Sequence, residues 1–254
     1  MQEKARVVVC LPSYNEEGNL PALIDDLAAA MPGALILVVD DGSADGTARV
    51  AKEAAAKHRV VLESHHGNKG LAAAVRTAFD TALGLVRDDG YVILMDADGT
   101  HRPEQMNDLL ARAERGSRSG GRRTLFGGTR VAGVAWYRKV LSAGARFLTT
   151  VIFGNLVARD VSCGYRLYRA ALIRRAKEAY GTRLIVSEGF SVNVELLVKL
   201  VRLGARVDQI PLNLRYDLKQ GASKIRIVRT VMQYLKLFAH LAVTRPRRGV
   251  GADT

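Results

Sequence analysis

Four short, almost unbroken apolar runs open this chain: Arg6–Leu11 (RVVVCL), Ala34–Val39 (ALILVV), Arg59–Glu63 (RVVLE) and Tyr91–Met95 (YVILM). Runs this short, with no polar residue at every second position, belong to strands buried on both faces of a sheet. Between them, Leu20–Met31, Asp45–Lys57 and Gly70–Val86 carry the spacing of helices. Strand and helix in regular alternation predict an α/β fold, a right-handed, doubly wound and mostly parallel sheet. Ligands of such sheets bind beyond the carboxyl ends of the strands. The polar residues of this region are gathered at those ends, in Pro12–Glu17, Asp40–Gly46, His65–Gly70 and Asp96–His101.

Each tip has its own chemistry. The first (PSYNEE) lacks the glycine-rich turn of a dinucleotide-binding protein. The second places Asp40 and Asp41 side by side before Gly42-Ser43, with Asp45 following. Ser43 or Asp45 is suited to cap the next helix, but capping does not call for two adjacent acids. Carboxylates there can accept from a nucleobase N–H or a ribose hydroxyl. At the fourth tip Asp96 and Asp98 stand one residue apart, so both can reach one divalent cation.

Downstream, Gly116–Arg123 (GSRSGGRR) reads as a flexible basic loop and Thr124–Arg130 as another strand. Helical patterns return at Tyr137–Gly154, Ser191–Leu203 and Ser223–Val243. Residues 1–110 hold 10 Lys/Arg against 17 Asp/Glu, whereas residues 111–254 hold 28 against 8. A basic half of that size suits phosphates, nucleic acid or an anionic membrane surface. With 6% aromatic residues, the chain lacks the interleaved rings of a single-strand nucleic-acid binder, and no nucleic-acid partner is expected. Cys10 and Cys163 match no metal spacing, and the chain reads as a reduced, cytoplasmic protein. The N-terminal apolar run is too short for a signal peptide. No stretch of about 20 uncharged apolar residues occurs; the nearest, Val140 to Val157, contains Arg146.

The motifs together resemble glycosyltransferase family 2, in its dolichol- or polyprenyl-phosphate hexose synthase branch. The resemblance is carried by Pro12–Glu16, Asp40–Ser43, Asn68–Leu71 and Asp96–Asp98. Farther on it continues through Gly128–Arg130, Arg138 with Ser142, Asp160–Arg166 and Gly221–Lys224. It implies a Rossmann-like GT-A fold with C-terminal amphipathic helices. Residues 1–220 would form the catalytic domain, with a nucleotide-sugar half over about 1–110 and an acceptor half over about 111–220. Residues 221–254 would form an amphipathic helix and basic tail.

The activity implied is inverting transfer of a hexose, mannose or glucose, from a GDP- or UDP-sugar to a polyprenyl phosphate. By the same resemblance Pro12, Tyr14, Glu16, Val39, Asp41 and Lys69 hold the nucleotide. Asp96 and Asp98 bind Mg²⁺ or Mn²⁺ with the diphosphate, and Thr100 stands where a further ligand often does. Arg130, Arg138, Ser142 and either Arg215 or Lys219 grip the acceptor phosphate. Asp98, Arg130 and Arg138 would carry catalysis. Asn193 and Glu195 fall where the family has a polar residue and an acid two apart.

Two other readings stay open at this point. A family 2 enzyme acting on a sugar hydroxyl or small molecule would need a catalytic carboxylate, Glu188 or Glu195. A basic docking protein without catalysis would leave the acidic tips unexplained. From Ile225 on, Val228, Met232, Leu235, Phe238, Ala239 and Ala242 form an apolar stripe beside Arg226, Arg229, Gln233, Lys236 and His240. That pattern predicts either a peripheral helix on the cytoplasmic face of an anionic membrane, with or without a separate membrane subunit as anchor, or a stripe packed on the domain core with its cations facing water.

Overall fold

Alternate residues of each apolar run go to opposite sides of one sheet. Val8, Cys10, Leu37, Val39, Val92 and Leu94 bury on one face, and Val9, Leu11, Ile36, Val38, Ile93 and Met95 on the other. The computed structural model describes residues 3–118, 124–130, 161, 163–212 and 227–246. Its strands are β1 (Ala5–Ser13), β2 (Leu35–Asp40), β3 (Val60–Ser64), β4 (Val86–Leu94), β5 (Thr124–Arg130), β6 (Arg166–Arg169) and β7 (Arg206–Leu212). They form a seven-stranded sheet in the order β3-β2-β1-β4-β6-β5-β7. Only β6 runs against its neighbours, antiparallel to both β4 and β5; every other pairing is parallel.

Helices cover both faces, as double winding requires. The side chains of α1 (Leu20–Ala30), α2 (Thr47–Ala55) and α4 (Gln105–Arg118) fill one side, through residues such as Ile24, Val50 and Leu109. Helices α3 (Leu71–Leu85), α5 (Ala170–Tyr180), α6 (Val192–Arg202) and α7 (Ile227–Val243) fill the other, through Phe79, Ile173, Leu197 and Phe238. Cys10 and Cys163 are free and buried, and burial pushes the Cys10 thiol up, away from reactivity.

The structure adds α4, β6, α5 and β7 to the elements read from the sequence. Met106, Leu109 and Ala113 of α4 are fully buried at helical spacing. The helix carries on through Gly116 to Arg118, so the basic segment starting at Gly116 opens as helix, not loop. Strand β6 has only four residues, and its buried Arg166 disguises it. The expected helix over Tyr137–Gly154 lies outside the described residues.

Helix α7 corrects the C-terminal stripe. Tyr234, Leu237, Phe238 and Leu241 turn inward and join the core, whereas Met232, Leu235, Ala239, Ala242 and Val243 stay exposed. The helix is apolar on two sides, and the sequence stripe mixed members of both.

Glu195 and Lys199, one helical turn apart on α6, form an ion pair with no side-chain exposure. The Glu195 carboxylate also accepts the N–H groups of Val186 (3.0 Å) and Ser187 (2.9 Å). Lys199 donates to the carbonyls of Arg183 and Leu184 and lies 5.5 Å from the Tyr180 ring centre. Burial draws the lysine down from its usual range, and the Glu195 charge opposes that shift. The pair thus clamps the 183–187 segment onto α6. Removing one partner leaves a buried charge uncompensated, so Glu195→Ala is expected to lose about 3–5 kcal/mol in denaturant unfolding. The double change Glu195→Leu with Lys199→Met should recover most of that loss. A single variant within about 1 kcal/mol of the parent would show that water reaches the pair.

Candidate active site

The strand directions decide which polar residues meet. β1 to β5 and β7 all point one way, so their carboxyl ends share one edge of the sheet, and the start of β6 lies at the same edge. The four tips singled out in the sequence, Arg130 at the end of β5 and the Gly164-Tyr165-Arg166 segment are therefore neighbours along one rim.

The first two tips are laced together. Asn15, with φ 54°, donates its N–H to the Ser43 hydroxyl (2.9 Å) and accepts from the Ala44 N–H (2.9 Å). Glu16 N–H reaches the Thr47 hydroxyl (2.9 Å), and Glu17 N–H reaches Asp45 (3.1 Å). Asp45 also accepts the Thr47 N–H, capping α2 from just outside it. Asp40 accepts the Ser43 N–H (3.1 Å) and closes its own turn. Asp41, almost wholly buried, accepts the N–H of Lys69 (2.9 Å) and of Gly70 (2.7 Å), which ties the β2 tip to the start of α3. The approach is close: a Cβ on Gly42, where φ is +70°, would sit 2.3 Å from the carbonyl carbon of Gly67. Only glycine fits both that φ and that space.

Around this lacework stand the expected nucleotide residues. Tyr14 is exposed, Pro12 and Glu16 are half-buried, and Glu16 accepts from the Asn19 amide (2.7 Å). Lys69 is exposed beside Asp41's anchor points. Val39 pairs with Pro12 across β1 and β2, but its side chain is in the core, so it can offer a ligand only its backbone.

At the fourth tip Asp98 accepts the N–H (3.1 Å) and the hydroxyl (2.6 Å) of Thr100. Thr100 thereby steers the carboxylate. Asp96 faces β6, where a Cβ on Gly164 would lie 3.3 Å from both Asp96 Oδ1 and the Asn193 side-chain nitrogen. The absent side chain of Gly164 leaves the space that Asp96 and, from α6, Asn193 both border. Buried Arg166 fixes that arrangement by donating to the carbonyls of Asn193 (2.5 Å) and Val161 (2.7 Å). His101 stacks on Tyr165 with ring centres 4.8 Å apart, and Tyr165 O–H donates to the Arg102 carbonyl (3.2 Å). The loop after β4 is thus braced against β6. Asp96 and Asp98 are the carboxylates of this rim that could hold a hard divalent ion such as Mg²⁺ or Mn²⁺; among the described residues no group of three or more His, Cys, Asp or Glu is placed to hold a metal.

Of the expected acceptor residues, Arg130 closes β5 on the same rim and pairs in register with Leu212 at the end of β7. Arg138, Ser142, Arg215 and Lys219 lie outside the described residues. Glu195 is removed from the list of candidate bases, since its carboxylate is enclosed by Lys199 and two backbone amides. Glu188 remains exposed just before a 3-10 turn over Gly189–Ser191. Sequence reasoning missed His65, Thr77 and the bracing role of Arg166. His65 opens one of the four tips but belongs to no motif of its own.

The model of "Glycosyl transferase family 2" matches residues 8–176, which include all four tips and the Gly164–Arg166 segment. A polyprenol monophosphomannose synthase of Mycolicibacterium smegmatis is 34% identical over 87% of this chain and 81% of its own length. An undecaprenyl-phosphate mannosyltransferase of Micrococcus luteus is 34% identical over 87% of each chain. Among solved structures, a glucosyl-3-phosphoglycerate synthase of Mycobacterium tuberculosis superposes with a TM-score of 0.62 at 20% identity. That match covers 93% of this chain and 78% of the other, in a complex holding Mn²⁺, UDP and glucosyl-3-phosphoglycerate. The fold is the expected Rossmann-like GT-A arrangement. With its family model spanning two-thirds of the sequence and its rim of strand tips in place, the chain belongs to glycosyltransferase family 2.

Proposed function

We propose that this chain transfers a hexosyl unit, mannose or glucose, from a GDP- or UDP-sugar to a polyprenyl phosphate at a membrane surface. The observation that carries the reading is the β4 tip: Asp96 and Asp98 stand on the same rim as the laced loops of β1 and β2 and the end of β5. The likeness to two prenyl-phosphate mannosyltransferases over most of the chain supports the acceptor class. Residues 1–220 serve as the catalytic domain, donor half then acceptor half, and residues 221–254 supply α7 and a basic tail.

In this reading Pro12, Tyr14, Glu16, Asp41 and the Val39 backbone hold the base and ribose, with Lys69 toward the phosphates. Asp96 and Asp98 hold Mg²⁺ or Mn²⁺, whose positive charge favours departure of the diphosphate. Thr100 keeps the Asp98 carboxylate aimed. Arg130, Arg138, Ser142 and Arg215 receive the acceptor phosphate through charge-assisted hydrogen bonds. A phosphate oxygen is already anionic at neutral pH, so the protein aligns it for in-line attack without a strong base. For a hydroxyl acceptor, which would need such a base, the enclosure of Glu195 leaves Glu188 of the two named carboxylates.

The outward row of α7 suits the bilayer in which a prenyl tail resides. Met232 and Leu235 are each about half exposed, Val243 more so, with Lys236 and Arg245 also at the surface and exposed Val186 and Phe190 in the chain segment before α6. Apolar contact supplemented by cations is how interfacial helices hold to anionic lipid. Among the described residues, no helix is long and apolar enough to cross a membrane.

Two outcomes are expected. Asp98→Asn should remove transfer, by at least about 100-fold on the several kcal/mol that Lewis-acid stabilisation supplies, with an unchanged thermal transition. Turnover that survives both this variant and excess chelator would defeat the metal assignment. In flotation with anionic vesicles the parent should rise with the lipid at low salt and less at high salt. Leu235→Glu should rise less than the parent; a folded parent that stays down at low salt would assign the membrane contact to a partner subunit.

A further inference from the structure

His65, the first residue after β3, is enclosed between two elements of the donor side. Its Nδ1 lies 2.6 Å from Asp41 Oδ1, and its Nε2 lies 2.9 Å from the Thr77 hydroxyl on α3. Both ion-pair side chains are nearly buried, 9% exposed for His65 and 4% for Asp41. The roles of the ring atoms follow from the partners. An ionised carboxylate only accepts, so Nδ1 carries a hydrogen. In the neutral ring Nε2 then accepts from Thr77; in the charged ring it donates to the same oxygen. The bond to Asp41 persists in both forms.

Asp41 has about four acceptor positions on its two oxygens. Oδ1 takes two hydrogens, from His65 and from the Lys69 amide, and Oδ2 takes one, from the Gly70 amide. Among the described residues a single position, on Oδ2, is left. The backbone amides fix one side of the carboxylate, but they come from a loop whose own place depends on Asp41. His65 is the independent hold. It is itself anchored at the backbone, where its N–H donates to the Asp40 carbonyl (2.9 Å), and at Thr77 in the second turn of α3.

We propose that His65 is a positioning residue for donor recognition: it fixes Asp41 so that the one remaining acceptor position is presented to an N–H or O–H of the nucleotide. The proposal rests on Asp41 belonging to the nucleotide site. Without the ring, the carboxylate is held only by the Lys69 and Gly70 amides, and that loop loses a rigid partner. The predicted consequence is confined to the donor.

The test uses the purified full chain, with GDP and UDP titrated in turn in the presence of Mn²⁺, and with donor and acceptor KM measured separately. His65→Leu should weaken whichever nucleotide the parent binds more tightly by about 10-fold or more, the worth of one hydrogen bond to a charged group. Donor KM should rise with it, while acceptor KM and kcat at saturating donor stay put. His65→Asn, whose amide places a donor near the position of Nδ1, should return to within about 3-fold of the parent. Thermal unfolding identifies variants that fail to fold. Should His65→Leu be one, Thr77→Val decides, since it removes only the hydroxyl that orients the ring. A raised donor KM then supports the proposal, and an unchanged one overturns it. Asp41→Ala separates the two ways of failing. If it loses nucleotide while folded His65→Leu keeps it, the role of His65 is overturned alone. If Asp41→Ala binds nucleotide like the parent, the nucleotide-site reading of Asp41 fails and takes the proposal with it.

Discussion

A strand buried on both faces has no polar surface along its length, so whatever polar work it supports must be done at its ends. β1, β2 and the second half of β4 obey that constraint: they are core on two sides, and their carboxyl ends release Pro12–Glu17, Asp40–Gly46 and Asp96–His101. Parallel direction then places these ends together. The site follows from the sheet, because the same burial that stabilises the strands gathers their polar termini on one rim.

Gathering alone would give a rim of mobile acids. What the loops add is a set of side chain to backbone hydrogen bonds, each offering a buried amide the partner it would otherwise lack. Asp40 closes a turn, Asp45 caps α2, Asp98 takes the Thr100 amide, and Asp41 takes two amides from the next loop. These carboxylates order the chain over two ranges: Asp40 and Asp98 close their own turns, whereas Asp41 ties its strand tip to the Lys69–Gly70 loop far along the sequence.

The alternation of strands and helices, the sheet class and the four tips could be read from residue types because each follows from local periodicity. The clustering of Asp96 with Asn193 could not. It depends on β6 running antiparallel beside β4 and on Gly164 having no side chain, neither of which four residues of Arg-Leu-Tyr-Arg announce. Glu195 was ambiguous for a related reason. An acid at that spacing is equally compatible with a solvent-exposed helix face, a base, or a buried partner for Lys199, and only tertiary packing chooses. Helix α7 shows the same limit: with apolar residues on two sides, periodicity cannot tell which stripe meets the core and which stays outside. His65 was hidden because its partners, Asp41 and Thr77, come from different elements.

Charge completes the picture. Residues 1–110, which supply β1 to β4, carry a net −7, whereas residues 111–254, which supply β6, β5 and β7, carry a net +20. The seam between them runs along β4 and β6, where Asp96 and Gly164 meet. The proposed transfer must bring two anions together, a nucleotide diphosphate and a lipid phosphate. In the proposed reading the acidic half needs positive charge beside a diphosphate, which a divalent ion held by Asp96 and Asp98 would supply. The basic half would receive the lipid phosphate through arginines without such help. The partition of charge would then give each anion a different kind of counter-charge, which is the physical reason for a donor half and an acceptor half in one chain.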